Sequence, residues 1–413
     1  MTDIDVNLAD PDLLIKGSGP PFGMLKRWRE SDPVHWNPVP EGYLNPNAQF
    51  QMTKGFWVLT RYQDVYDASR QPLRFSSALG GATIWDLEGN WLKAQQAGIM
   101  GMDPPKHVRV KSLVVTPFMP RKLDAFTPEI EGVIRDIVDG VAAKGGCEFV
   151  FDVASRLPVY TFCVLMGIPP EDRERIFTLG NAMADLENPH DLRAIHIEMD
   201  AYARKLADAK RAAPDETMMS SYANAVVDGE PLSQAEITMF FTTIAIAGHE
   251  TTRNTATHFV RLMAEYPEQR ALLLSDLDRH LPNAINEVLR FWPPVIEFRR
   301  TAAEDMELGG KQIRRGDKIY FSYAAANRDP AMFEDPDRFD ITRENADKHL
   351  SFGIGQHACL GARLAGLQLR LLLKDVYTRI PDIAPVGEAE YLNSIMFNGL
   401  RRMPVRFTPE RAQ

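Results

Sequence analysis

The chain has 413 residues, 45% hydrophobic and 25% charged, with a net charge of −9, a composition that permits a large packed core. The acidic balance gives no reason to expect nucleic acid, whose binding surfaces are basic. The opening "MTDIDVNLADPD" is acidic and lacks an apolar run, so it is no signal peptide, and nowhere do 18 consecutive apolar residues suggest a membrane span. Three widely spaced cysteines, Cys147, Cys163 and Cys359, make no disulfide framework and fit a reducing compartment. A soluble, cytoplasmic protein is expected.

In chain order, the segment up to about Gly81 is rich in proline and turn residues, with one strand candidate in "GFWVLTRY", residues 55–62. Residues 106–265 read as mostly helical, broken by turns such as "GIPPEDRE" and "DGEPLS". Strand-like pieces return in "MELGGKQIRRGDKIYFSY", where Gly309-Gly310 reads as a hairpin turn. Proline-rich "NRDPAMFEDPDRFD" is irregular, and "LGARLAGLQLRLLLKDVYTRI" repeats leucine at helical spacing. The fold class is mainly α with small β-sheets. No linker divides residues 1–413 cleanly, so one domain is expected.

The stretch "LSQAEITMFFTTIAIAGHETTRNTATHFVRLMAEYP" predicts one long helix. Ser233 and Glu236 form a capping box at its start and Pro267 marks its end. Residues 237–248 carry no charge, which predicts burial on nearly every side. Then "GHETT" breaks the helix's own rules. Gly248 costs about 1 kcal/mol against alanine, Glu250 is a carboxylate beside an apolar run, and Thr251 can bond back to the carbonyl of Ala247. Such violations cluster at sites. A zinc-protease motif is excluded, because its second histidine would fall at Arg253.

Cys359 lies in "FGIGQHACLG", among glycines and just before a helix, where backbone N–H groups and the helix dipole favour a thiolate. With no cysteine or histidine partners at zinc spacing it completes no tetrahedral site. A haem iron needs only one such axial ligand.

The stretch resembles the haem-binding signature of the cytochrome P450 family, F-x-x-G-x-x-x-C-x-G, and "AGHETT" resembles that family's oxygen-activating motif. "EVLR", with Glu287 and Arg290, is similar to its Glu-x-x-Arg pair, with Arg338 of "DPDRF" as third member of a buried structural network. The resemblance implies a single-domain haem-thiolate monooxygenase fold with a long central helix over the haem, and heme b as cofactor. It implies Cys359 as iron ligand, with Phe352 and Gly361 beside it. His107, His357, Arg300 and, less fully matched, Lys111 would meet the haem propionates. Gly248 would admit the porphyrin face, while Glu250 and Thr251 would deliver the protons that dioxygen cleavage consumes.

The same resemblance implies oxygen insertion from dioxygen into a small hydrophobic molecule (terpenoid, steroid or fatty-acid-like). Electrons would come from a separate ferredoxin or flavodoxin with its reductase, docked where Lys106, Arg109, Lys111 and Arg363 gather charge. A monomer is expected. Substrate contacts map to Trp85, Ile99, Ile244, Ala245, Val295, Ile296, Phe298, Met396 and Phe397. Glu297 departs from this apolar set and either meets a polar substrate group or turns away; Arg299 is the one basic residue nearby. A peroxide-driven peroxygenase and a non-enzymatic haem-thiolate sensor or carrier stay open as alternatives, but neither has reason to keep the costly Glu250–Thr251 turn.

Overall fold

Aromatic and β-branched residues gather in five short segments that pair as one sheet. By position its order is Val34–Asn37, Phe56–Leu59, Lys318–Ser322, Glu297–Ala302 and Phe75–Ser76. Lys318–Ser322 pairs parallel with Phe56–Leu59, and every other pair is antiparallel. This computed structural model describes residues 7–10, 12–39, 52, 54–184, 192–227 and 229–410.

The pleat sorts side chains by parity. Tyr320 stands opposite Arg299 and Phe321 opposite Phe298. Glu297 and Arg299 therefore share the face of Tyr320, which packs with Phe56, Ile84 and Ile296. Phe298 and Arg300 share the other face, where Phe321, Phe75 and Tyr323 form a second core. The expected hairpin is present: Met306–Leu308 pairs with Lys311–Ile313 across Gly309 and Gly310, at φ 53 and 76.

The sheet belongs to a unit made of Met1–Arg109, Asn286–Cys359 and Tyr391–Asn398; a second unit comprises Val110–Ile285, Leu360–Glu390 and Gly399–Gln413. The second is helical. Pro120–Ala142 buries a stripe of Ile130, Ile134, Ile137 and Val141, spaced as an amphipathic helix requires. Gln234–Glu265 is a single 32-residue helix, about 48 Å long. Its capping box forms as the sequence predicts, and Pro267 opens the next helix, Pro267–Ser275. The leucine-rich segment is the helix Ala362–Arg379. Among the described residues no helix is long and apolar enough to cross a membrane.

The N-terminal segment holds more helix than its prolines suggest: Leu13–Gly17, Phe22–Ser31 and Tyr62–Ser69. Pro21 occupies the N-cap before Phe22, where a missing N–H costs nothing, and Phe22, Met24, Leu25 and Arg29 are buried. The strand of residues 55–62 is shorter than expected, Phe56–Leu59, because Tyr62 opens the next helix.

Glu287 and Arg290 form a wholly buried bidentate pair at 2.7 and 2.8 Å. The third member is not Arg338, whose side chain is 64% exposed and pairs with Asp340. The chain turns at Asp335, at φ 44, and returns to bury Arg343, whose Nε donates to Glu287 at 3.3 Å. Arg338 contributes only its carbonyl, which accepts from both Arg290 and Arg343. Arg290→Ala should strand a buried carboxylate and cost about 3–5 kcal/mol. Arg338→Ala should cost about 0.5 kcal/mol or less. Urea unfolding midpoints check this, and equal losses in the two variants would contradict the assignment.

Candidate active site

In the first unit, Cys359 ends a loop whose shape its glycines dictate. Gly353 and Gly355 sit at φ 62 and 71, conformations that other residues rarely adopt. A Cβ at Gly355 would stand 2.6 Å from the Ser69 carbonyl oxygen. The Cys359 N–H donates to the Phe352 carbonyl at 2.8 Å, and Ala358 N–H to Gly355 at 3.2 Å. Within this clasp the Cys359 side chain is exposed. Phe352 is half-buried against the His349 ring, and Gly361 is the N-cap of the following helix.

Three basic residues lie in the same unit. His107 is buried, its Nδ1 is 2.8 Å from Gln356 Nε2, and its ring lies 4.3 Å from that of His357. His357 in turn is 3.3 Å from Ser77 Oγ. Arg300 is buried over the Phe321 ring, its Nη1 donating to the Arg299 carbonyl at 2.7 Å. Burial lowers its pKa, while Tyr323 and Asp103 oppose that shift. Asp103 is itself occupied, accepting from the Ser77 N–H and the Ser76 hydroxyl. Two histidines in ring contact and a buried arginine near one occupied carboxylate suit an anionic ligand. Lys111 is half-buried and belongs to the second unit, whereas Lys106 and Arg109 are exposed.

The long helix carries the second unit's candidates. Its uncharged run is buried only as far as Phe241; Ile244 and Ala245 are half-exposed, and Ile246, Ala247 and Gly248 are exposed. The expectation of all-round burial fails because no core covers this stretch. An exposed apolar strip inside a helix is a surface for something other than water. A Cβ at Gly248 would meet nothing within 4 Å. Thr251 Oγ1 donates to the Ala247 carbonyl at 2.9 Å, the back-bond its position predicts. Glu250 is buried and takes a 2.5 Å bond from Arg253 Nη2. Burial, with Arg253 alongside, holds the His249 imidazole down to about 3. Arg253 was legible only as the residue that spoils a zinc motif; its spacing of three from Glu250 was the available signal.

Of the candidate substrate residues, Val295 bridges Phe397, and the Ile296 N–H donates to Met396 at 2.9 Å. Trp85 packs against the core that holds Ile296. Phe298 lies on the opposite strand face, edge-on to Tyr323. Ile99 is half-buried in the turn Ile99–Gly101; Ile244 and Ala245 belong to the other unit. Glu297 does not turn away to solvent. It is wholly buried, and neither carboxyl oxygen has a hydrogen-bond partner among the described residues. Burial pushes its pKa up to about 8 against Arg300 and Arg299.

The mainly helical fold with a cysteine-terminated glycine loop defines a haem-thiolate class of oxidoreductase, and the comparisons agree. Residues 187–378 match the family model for Cytochrome P450. A Steroid C26-monooxygenase of Mycolicibacterium smegmatis is 35% identical over 396 residues, covering 94% of this chain and 91% of that protein. Linalool 8-monooxygenase of Pseudomonas putida is 30% identical over 417 residues, covering 98% and 99%. A solved Mycobacterium marinum cytochrome P450 in complex with pseudoionone superposes with a TM-score of 0.88 at 33% identity, covering 98% and 99%. The chain belongs to the cytochrome P450 family, and it is a monooxygenase that takes a haem-thiolate cofactor, a hydrophobic substrate and a redox partner.

Raising the Glu297 pKa above its unfolded value gives a stabilising contribution that is full below about pH 4.5 and falls away as pH rises through about 8. Between pH 5 and 8 the native protein should lose on the order of a few kcal/mol relative to Glu297→Gln, which cannot ionise. Parallel denaturation curves at pH 5, 6.5 and 8 measure the difference; identical pH profiles would refute it.

Proposed function

We propose that this P450 hydroxylates a chain-end carbon of an isoprenoid-type hydrophobe, using heme b ligated by Cys359. The observation that carries the reading is the Cys359 loop: a single exposed thiol on a residue whose backbone N–H is held by the Phe352 carbonyl, in the unit that also holds His107, His357 and Arg300. The residues fit heme b. The Cys359 thiolate would supply the protein's ligand to the iron, and the three basic side chains would supply partners for two carboxylates, with Lys111 a weaker candidate for the same role. Phe352 and Gly361, on either side of Cys359 in the chain, are the proposed neighbours of the cofactor. The side-chain-free backbone at Gly248 and the exposed strip at Ile246 and Ala247 accept a flat apolar face.

Bound there, the cofactor supplies the iron that activates dioxygen, and a thiolate ligand favours O–O cleavage. The overall reaction takes a C–H bond, dioxygen, two electrons and two protons to an alcohol and water. The chain's own part is proton handling. Thr251, pinned to Ala247, presents a hydroxyl at a fixed place, and Glu250 is the neighbouring carboxylate, held in position by Arg253. An acid, a hydroxyl and intervening water form a proton path.

For the substrate, the names of the two relatives place oxidation at C26 of a steroid and at position 8 of linalool, both chain-end carbons of isoprenoid skeletons. Trp85, Ile99, Ile244, Ala245, Val295, Ile296, Phe298 and Phe397 are the proposed apolar contacts, which select by shape. The electron donor is a ferredoxin or flavodoxin, steered to exposed Lys106, Arg109 and Arg363. The protein acts in the cytoplasm as a monomer.

Cys359→Ala should abolish the red-shifted Soret band of the reduced, carbon-monoxide-bound protein; an unchanged band removes Cys359 as the ligand. Thr251→Ala should divert electrons to free hydrogen peroxide while product falls about 10-fold or more. Product and peroxide yields per electron consumed check this, and unimpaired coupling would remove Thr251 from the proton path. With linalool as substrate, mass spectrometry should find hydroxylation at a terminal methyl; oxidation confined to internal carbons would defeat the chain-end reading.

A further inference from the structure

Glu297 has no role in the scheme above, yet its placement is costly. It is a carboxyl with no exposed surface, and both its oxygens lack a hydrogen-bond partner among the described residues. Burying a polar group without a partner costs about 1–3 kcal/mol, so such groups in a folded protein call for an explanation. Two residues on, Arg299 lies on the same strand face. Its Nη1 donates to the Trp85 carbonyl at 2.8 Å and faces Asp86 at 3.8 Å, and its Nη2 reaches Thr301 at 3.3 Å. Its Nε is buried with no partner among the described residues. One strand face thus presents an unpartnered carboxyl and an unpartnered N–H about 7 Å apart along the backbone. Tyr320 stands opposite Arg299, Lys318 pairs with Asp86 at 2.9 Å, and Ile296 and Trp85 pack on the core that holds Tyr320.

The chemistry of the pair selects its ligand. Arg299 is anchored to Asp86 and the Trp85 carbonyl, so it offers a fixed donor rather than a mobile cation. A carboxyl sealed from water beside two arginines keeps its proton at neutral pH, and is then a donor as well as an acceptor. A cationic amine is disfavoured by the arginines and Lys318, and a free carboxylate by the cost of sealing its charge away from water. What remains is a neutral oxygen, accepting from Glu297 and Arg299.

We propose that Glu297 and Arg299 form a polar subsite that binds a hydroxyl or carbonyl oxygen of an otherwise hydrophobic substrate, and that Glu297 is the specificity-determining residue. The subsite deepens the proposed function and rests on it only in that the bound molecule is the one oxidised.

The test compares matched ligands by calorimetry on the holoprotein: linalool against 3,7-dimethylocta-1,6-diene, and pseudoionone against the undecatriene of the same skeleton. The native protein should prefer each oxygenated member about 10-fold or more, the equivalent of one good hydrogen bond. Glu297→Leu should erase that preference, and Glu297→Gln, which still donates, should keep most of it. Pseudoionone only accepts, so its affinity should fall as pH rises past about 8 and stay flat in Glu297→Gln. The facing groups Arg299, held down to about 10, and Tyr323, pushed up to about 12, do not titrate between pH 6.5 and 9, and burial raises Tyr320 well above its ordinary value. Arg300, Asp86 and Lys318 are common to both proteins, so the Gln variant controls for them.

An equal preference in native and Glu297→Leu protein overturns the proposal, as does a native protein that binds neither oxygenated probe better than its hydrocarbon. The carbon monoxide spectrum separates the two failures. Its absence in native protein defeats the haem-thiolate function while the calorimetric ratios still stand; a normal spectrum with unchanged ratios defeats the subsite alone.

Discussion

The buried ion network around Glu287 is the constraint on which the cysteine loop depends. Arg290 spends its five donors on Glu287 and on the carbonyls of Asn327, Pro336 and Arg338, so one side chain gathers two irregular segments that have no ladder of their own. Asn327 passes the order on: its Oδ1 accepts from the Leu350 N–H at 2.7 Å, and its Nδ2 donates to Ser351 Oγ, which donates to the Leu289 carbonyl. Phe352 follows directly, and its carbonyl holds Cys359. A carboxylate with no access to water thereby sets the coordinates of a thiol more than seventy residues later.

Such an arrangement is expensive, since buried charges recover their desolvation cost only when geometry and hydrogen bonding are nearly complete. Around Glu287 they are complete. Elsewhere the protein tolerates less: the Glu297 carboxyl lies near two arginines but has no hydrogen-bond partner among the described residues. The gradient follows function. Groups that fix the frame are saturated, whereas groups expected to meet substrate or protons keep unspent capacity.

Strand parity does similar sorting in the sheet. A one-residue shift of Glu297–Ala302 would exchange Arg300 for Arg299 and Phe298 for Glu297. Register with Lys318–Ser322, two residues of which are the tyrosine and phenylalanine of the two cores, keeps Arg300 and the Glu297–Arg299 pair on opposite sides of one strand.

The amino-acid sequence by itself determined the elements whose causes are local. The capping box at Ser233 and Glu236, the Gly309-Gly310 turn, the Thr251 back-bond and the glycine-rich approach to Cys359 each depend on neighbours within a few residues, and each forms as read. Family motifs were equally legible, because Cys359, Glu250 and Arg290 stand at fixed spacings. The tertiary structure decided what depends on distant partners. Arg343 rather than Arg338 completes the ion network because a turn at Asp335 reverses which side chain faces inward. The strip at Ile246–Gly248 is exposed because burial belongs to the surroundings of a helix and not to its composition. Glu297 could be read from sequence as a polar residue in an apolar stretch. That it is sealed without a partner is a property of the packed strand face, which no local pattern encodes.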